Sequence, residues 1–161
     1  MIKKTNIFSG KWNEAGHGEK FQRGHIPLTN LNDDNLIGCG AFCVKPGKRA
    51  FPRHAHLAND EAVYVVSGSG MLTVGDETEA MVAGDFTMLP RGAGFAHVLV
   101  NDGEDDLVYL CMSSMIMPEV VDYPDSGKLG VLGSKDFWSG DDAGVSGFYR
   151  LNPVGYWEGE D

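Results

Sequence analysis

The stretch from His54 to Glu61 reads His-Ala-His-Leu-Ala-Asn-Asp-Glu and places two imidazoles and a carboxylate close together. Residues two apart on a β-strand point to the same face, so His54 and His56 aim at one side, with backbones about 7 Å apart. A third imidazole, His97, follows on a later predicted strand. Three neutral nitrogens and one carboxylate oxygen suit a divalent transition metal. The sequence therefore predicts a metal site formed by His54, His56, Glu61 and His97.

Glycines at fixed distances extend this pattern on both sides. The positions that take part are Gly47, His54, His56, Glu61 and Gly68, followed by Gly84, Pro90, Gly92, Gly94, His97 and Asn101. Their spacing resembles the two motifs of the cupin family, over about a third of the chain. The first motif matches, with its opening glycine one residue further upstream, and the second has two extra residues, which we interpret as a longer turn between Pro90 and Gly94. The resemblance implies that Glu61, rather than Asp60, is the carboxylate ligand.

Length and composition indicate a single all-β domain. The chain has 161 residues, of which 42% are apolar, enough for a core that folds unaided. Its 22 glycines and 7 prolines separate short apolar runs, as in a β-barrel or sandwich. With the family resemblance, we expect a cupin double-stranded β-helix, or jelly-roll barrel, with extensions at both ends. We place an N-terminal arm at residues 1–36, the barrel core at 37–114 and a C-terminal extension at 115–161, which packs on the barrel or on a partner subunit.

Alternation of apolar and polar residues predicts the strands. We expect strands over residues 37–44, 50–56, 61–66, 71–74, 78–82, 86–89, 94–100 and 107–113, with a possible edge strand at 25–31 and no helix. With Glu61 inward, Val63 shares its face and Tyr64 points outward; with His97 inward, Leu99 follows. The predicted pocket therefore has aliphatic walls.

Charge and hydropathy exclude several classes of partner. A formal net charge of -10 and the lack of a long basic stripe argue against nucleic acid. No run of about 18 apolar residues predicts a membrane span, and the first residues do not form a secretory signal, so we expect a cytoplasmic protein.

Cys39 and Cys43 lie about 13 Å apart on one predicted strand, too far for a disulfide. With Cys111, they are interpreted as small buried residues in a reducing compartment.

Several residues outside the ligand set are open to two interpretations. Basic residues near the motifs could bind a phosphate or be solvated turn cations; they are Lys45, Lys48, Arg49, Arg53 and Arg91. His17 and His25 lie outside the motifs and are interpreted as structural or surface residues. The C-terminal aromatics could cover the outer sheet or a partner, or form a lid over the barrel; they are Phe137, Trp138, Phe148, Tyr149, Tyr156 and Trp157.

The ligand set allows more than one function. A divalent ion held by three histidines and one carboxylate keeps a net charge of +1 and open coordination positions. Zinc, iron, manganese and nickel all accept this set. The run from Tyr123 to Lys128 resembles a segment of small bacterial cupins, some of which are labelled sugar-phosphate isomerases, a label that rests on fold analogy. Isomerisation or epimerisation of a sugar or sugar phosphate is slightly favoured. The alternatives are a metal-dependent dioxygenase of a small organic molecule and a non-catalytic metabolite-binding module. The resemblance also implies a homodimer.

Overall fold

The described residues of the computed structural model are 4–30, 35–134 and 146–160, and they form strands with two short 3-10 turns and no α-helix. The strands are β1 (Asn13–His17), β2 (Phe21–Pro27), β3 (Ile37–Val44), β4 (Ala55–His56), β5 (Glu61–Ser67), β6 (Ser69–Val74), β7 (Glu77–Val82), β8 (Phe86–Leu89), β9 (His97–Val100), β10 (Leu107–Ser114), β11 (Glu119–Tyr123), β12 (Lys128–Leu132) and β13 (Gly147–Tyr149). The turns are Ala93–Phe95 and Pro124–Ser126. Within these ranges no helix has the length and apolar character that crossing a bilayer requires.

The strands form antiparallel sheets that face each other across an apolar core. The first sheet has the order β1-β2-β3-β10-β5-β8, and the others have the orders β13-β12-β11-β4 and β7-β6-β9. The two smaller sheets meet at an antiparallel bridge, where the backbones of His54 and His97 exchange hydrogen bonds of 3.1 and 2.7 Å. Val65 and Leu107 from the large sheet pack with Leu72 from the other side. This architecture confirms the predicted all-β barrel.

Several strands have the predicted bounds, and the departures have local causes. Strands β3 and β8 cover residues 37–44 and 86–89 as predicted. The strand expected over 50–56 is reduced to Ala55–His56, because Pro52 has no N–H and cannot continue a ladder. The strand expected over 94–100 begins only at His97, since residues 93–95 form a 3-10 turn at the place of the two extra motif residues.

The two terminal regions add strands to the sheets. Strands β1 and β2 form a hairpin, which the sequence prediction did not contain, and β2 pairs with β3. β2 occupies Phe21–Pro27 instead of 25–31, and residues 31–34 lie outside the described part of the chain. At the other end, β11 pairs with both β12 and β4. The C-terminal strands therefore lie next to the strand that carries His56.

The first cupin-like motif ends at a glycine that the fold requires. Gly68 has a φ of +78°, and a Cβ there would lie 2.5 Å from the backbone oxygen of Asp106. Only a glycine combines that conformation with such a close approach. The motif glycine therefore serves the packing of β5 and β6 against the loop before β10.

Candidate metal centre

The structure brings the four predicted side chains together between the facing sheets. His56 lies on β4 and His97 begins β9, while Glu61 begins β5 in the large sheet. The ring centroids of His54 lie 5.1 Å from His56 and 4.7 Å from His97. The ligand atoms of His54, His56 and Glu61 all lie within 4.8 Å of one another. His97 adjoins this group through its Nε2, which is 3.1 Å from Glu61 Oε2.

The three imidazoles present the same nitrogen to the interior of the site. His54 Nδ1 donates to the carbonyl oxygen of Pro52 at 2.9 Å, and His97 Nδ1 donates to that of Phe95 at 3.1 Å. His56 Nδ1 is buried and lies 3.4 Å from the Glu119 carboxylate, an ion-pair distance without hydrogen-bond geometry. An acceptor beside Nδ1 favours the proton on that nitrogen and leaves Nε2 free to bind a metal. Three Nε2 atoms with one carboxylate therefore fit a divalent transition metal.

The charges within the site favour a cation. Burial alone would raise the pKa of Glu61, but the hydrogen bond with His97 and the nearby His56 and His54 lower it to about 2. Burial lowers the pKa of His54 to about 4, against the attraction of Glu61. Burial would also lower the pKa of His56, but the carboxylates of Glu119 and Glu61 outweigh it and raise that pKa. At neutral pH the site therefore contains an ionised carboxylate beside a neutral His54.

Glu119 is a site residue that the sequence prediction missed. Its side chain is only 1% exposed, although it comes from β11, far along the chain from the ligand motif. Oε1 accepts hydrogen bonds from the N–H groups of Leu57 and Ala58, both at 3.0 Å, and Oε2 accepts one from Asn59. These bonds fix the carboxylate beside His56. No local pattern around residue 119 indicates this role.

The candidate metal centre lines a cavity of about 480 Å³. Its walls are largely aromatic and aliphatic; they include Phe42, Phe51, Val63, Leu72, Leu89, Leu99, Val121, Leu132 and Phe148. The predicted aliphatic pocket is therefore present, with Val63 and Leu99 buried as expected and Tyr64 exposed. Tyr109 and Tyr123 also line the cavity, and the Tyr123 ring stacks 6.0 Å from that of His54.

Other candidates from the sequence have different positions from those expected. His25, interpreted as structural or surface, lines the cavity and stacks 4.7 Å from Phe42. In the described chain, the five basic residues near the motifs all lie outside the lining, and three of them form ion pairs: Lys45 with Asp106, Arg53 with Asp125 and Arg91 with Asp60. The cation that does line the cavity is Arg23, which belongs to no motif in the sequence.

The cysteines and the C-terminal aromatics can also be compared with their predictions. Cys39, Cys43 and Cys111 are free thiols, as expected, but they are half-buried instead of buried, and Cys39 and Cys111 line the cavity. Phe148 packs against Tyr123 with ring centroids 5.9 Å apart, whereas Tyr156 and Trp157 are exposed. Phe137 and Trp138 lie outside the described residues.

Comparison with known proteins identifies relatives of this fold. The family model described as a cupin domain matches residues 40–113. A crystal structure of a protein provisionally named sugar phosphate isomerase, from Acidithiobacillus ferrooxidans, is 30% identical, with a TM-score of 0.72 over 83% of this chain and 86% of its own. A cupin-superfamily sugar phosphate isomerase from Silicibacter pomeroyi is 21% identical, with a TM-score of 0.72 over 96% of this chain and 98% of its own.

A more distant likeness is confined to the fold. A protein from Thermotoga maritima, named as a predicted oxalate decarboxylase, is 19% identical, with a TM-score of 0.62 over 71% of this chain and 100% of its own. A search of curated protein sequences finds no match. The chain therefore shares its fold with proteins that carry different activity names.

Proposed function

Because the chain belongs to the cupin family, we propose that it is a metal-dependent enzyme that acts on a small oxygen-bearing molecule in the barrel cavity. One observation supports this proposal: ligand atoms of His54, His56 and Glu61 lie within 4.8 Å of one another on the wall of a cavity of about 480 Å³, and His97 Nε2 lies 3.1 Å from Glu61 Oε2. We assign His54, His56, Glu61 and His97 as the ligands of one divalent ion, which would be zinc, iron, manganese or nickel. A bound ion would supply a Lewis acid that polarises a substrate oxygen.

The surrounding side chains supply orientation and proton-transfer groups. Glu119 orients His56 through Nδ1, as outer carboxylates do in many metal sites. Burial raises the pKa of Tyr123, so its hydroxyl keeps its proton at neutral pH and can donate a hydrogen bond. Burial, with the charge of Arg23, lowers the pKa of His25, so this imidazole is neutral and can accept a proton. The cavity thus contains both a donor and an acceptor for acid-base chemistry.

Isomerisation or epimerisation of a sugar or sugar phosphate is the favoured reaction. It is supported by the name of the 30% identical relative and by the presence of both His25 and Tyr123 in the lining of one cavity. A metal-dependent dioxygenase is the second candidate, because the largely apolar walls suit an aromatic or aliphatic substrate better than a sugar with many hydroxyls. The two candidates differ in their need for oxygen.

Metal analysis and two assays test the proposal. We expect protein purified without added metal to contain close to one ion per chain, and His97→Gln to lose most of it. His17→Gln is the matched control, because His17 is exposed on β1. Interconversion of aldose and ketose phosphates under nitrogen would support the isomerase, and substrate-dependent oxygen uptake would support the dioxygenase. Equal metal content in His97→Gln and His17→Gln would contradict the ligand assignment, and tight metabolite binding without turnover would contradict an enzyme.

We further propose that the protein is a homodimer. Apolar side chains of the C-terminal segment are exposed, with Leu151 at 62%, Val154 at 69% and Trp157 at 76%, and association would cover them. Light scattering should give twice the chain mass; a monomer at micromolar concentration would contradict the proposal. The division into arm, barrel core and extension, and a cytoplasmic location, stay predictions.

A further inference from the structure

We propose that Arg23 forms an anion-binding subsite in the cavity, so that the molecule bound there carries a phosphate or carboxylate group at one end and metal-binding oxygens at the other. This inference rests on the proposed function and deepens it, because it assigns a charge and a polarity to the substrate of the same site.

The alternation of β2 places Arg23 on the cavity side. Arg23, His25 and Pro27 line the cavity, while the intervening Gly24 and Ile26 are buried on the opposite face. Two further contacts hold the side chain in place. Its Nη1 donates to the carbonyl oxygen of Ala50 at 3.0 Å, and its guanidinium carbon lies 4.6 Å from the centroid of the Phe51 ring. The guanidinium is therefore oriented before any ligand arrives.

Arg23 has no counterion in the described part of the chain. By contrast, Lys45, Arg53 and Arg91 each form an ion pair with an aspartate, and all three lie outside the cavity. Arg23 is also the one lysine or arginine of the described residues that lines the cavity. Its Nε is buried and has no hydrogen-bond partner. Arginine keeps its charge under all ordinary conditions, so an anionic group would complete this environment.

The distance from the candidate metal centre suits a ligand that bridges the two positions. Phe51 contacts both sides: the Arg23 guanidinium carbon is 4.6 Å from its centroid, and the His54 ring centroid is 6.1 Å away. The guanidinium therefore lies at most about 11 Å from the His54 imidazole. A chain of five or six carbons with a terminal anionic group fits within that span, and the apolar walls would contact its middle part.

The charge of the loaded cavity favours the same class of ligand. A divalent ion would be balanced by the Glu61 and Glu119 carboxylates, which both line the cavity, so Arg23 supplies the uncompensated positive charge there, inside a protein whose net charge is -10. An uncompensated guanidinium in a largely apolar cavity attracts a ligand with an anionic group more strongly than a neutral sugar.

Paired ligands that differ only in the distal group test this subsite by calorimetry. Glucose 6-phosphate is compared with glucose for the phosphate source, and 2-oxoadipate with 2-oxohexanoate for the carboxylate source. The variant Arg23→Met removes the charge and keeps the length of the side chain. Arg49→Met is the matched control, because Arg49 also stacks on an aromatic ring, 5.7 Å from Phe21, but lies outside the cavity.

We expect wild type and Arg49→Met to bind the member with the distal anion at least about tenfold more tightly in one pair or both, and Arg23→Met to lose that preference. The pair that shows the preference identifies the phosphate or the carboxylate. Unchanged preference in Arg23→Met, or no preference in wild type, would overturn the subsite. If Arg23→Met fails to fold, Arg23→Lys replaces it. A lysine keeps the charge but cannot form the two parallel hydrogen bonds of a guanidinium, so the preference for the distal anion should weaken.

Metal content separates this inference from the proposed function. If the purified protein contains its ion and the distal anion has no effect, the subsite is wrong and the metal assignment stands. If no ion is found, the proposed function is wrong, and binding of inorganic phosphate to the metal-free protein still decides the subsite. Phosphate binding that Arg23→Met abolishes and Arg49→Met retains would support the subsite, and equal binding by all three proteins would overturn it.

Discussion

Replacing Glu119 by glutamine tests how strongly a buried carboxylate controls the candidate metal centre. The side chains have nearly the same shape, so Glu119→Gln changes hydrogen bonding and charge without creating a cavity. One oxygen would still accept from the N–H groups of Leu57 and Ala58. The amide NH₂ would then face Asn59 and His56 Nδ1, which are themselves donors. The opposite orientation of the amide would instead direct the NH₂ at two backbone N–H groups.

The magnitude follows from these contacts. Either orientation leaves buried donors without an acceptor, at a cost of about 1–3 kcal/mol in the free energy of unfolding. Glu119 also raises the pKa of His56, together with Glu61 and against the effect of burial, so its loss weakens the support for His56 as a ligand. Loss of such an outer carboxylate lowers metal affinity by about 10 to 100-fold. We expect Glu119→Gln to fall within that range.

Competition with a chromophoric zinc chelator at constant pH measures this affinity. Glu79→Gln provides the control, because Glu79 is an exposed carboxylate on β7. Nitrogen NMR of His56 adds a readout that simple destabilisation would not move, since the proton should leave Nδ1 more often in Glu119→Gln. If Glu119→Gln binds zinc within twofold of wild type while folded, the assigned role of Glu119 is refuted.

The remaining predictions concern stability. In the metal-free protein, the unfolded chain binds a proton at His54 near its ordinary pKa of 6.5, whereas the folded chain does so only near 4. The free energy of unfolding should therefore fall as the pH drops from about 6.5 to about 4, by up to roughly 3 kcal/mol from this group. Urea unfolding at several pH values measures this dependence. The same dependence in His54→Gln would contradict the assignment to His54. Gly68→Ala should lower the free energy of unfolding by at least about 2 kcal/mol, because residue 68 has a positive φ and the new Cβ would meet the backbone oxygen of Asp106. Gly94→Ala should lower it by under about 0.5 kcal/mol, since a Cβ there has open space around it. Removal of the ion with a chelator should lower the melting temperature of wild type, since a ligand bound only by the folded state stabilises it, and an unchanged melting temperature would speak against a resident ion.

The sequence predicted those parts of the site that depend on local spacing. His54, His56 and Glu61 lie within one short segment, and the motif with His97 placed the fourth group on a later strand; the structure brings all four together. The aliphatic walls followed from alternation on β5 and β9. These features could be predicted because the period of a strand determines which side chains share a face.

The parts that were missed depend on pairing between distant segments. Glu119 reaches His56 because β11 pairs with β4, with Val121 opposite His56, and nothing near residue 119 indicates that register. Arg23 lines the cavity only because β2 begins at Phe21, four residues before the strand that alternation predicted. Arg23 lies outside the strand predicted over residues 25–31, so alternation could not assign it to the face that His25 occupies two residues later.

The bridge between His54 and His97 joins two sheets at the same residues whose imidazoles face the candidate ion. Two backbone hydrogen bonds join the sheets at this bridge, and an ion bound by both side chains would add a second link between the same two residues. Loading the site would then slow deuterium uptake at the amides of residues 54 and 97 more than at β1, which lies at the far edge of the other sheet. Binding of one ion would therefore determine how often the junction between these two sheets opens to solvent.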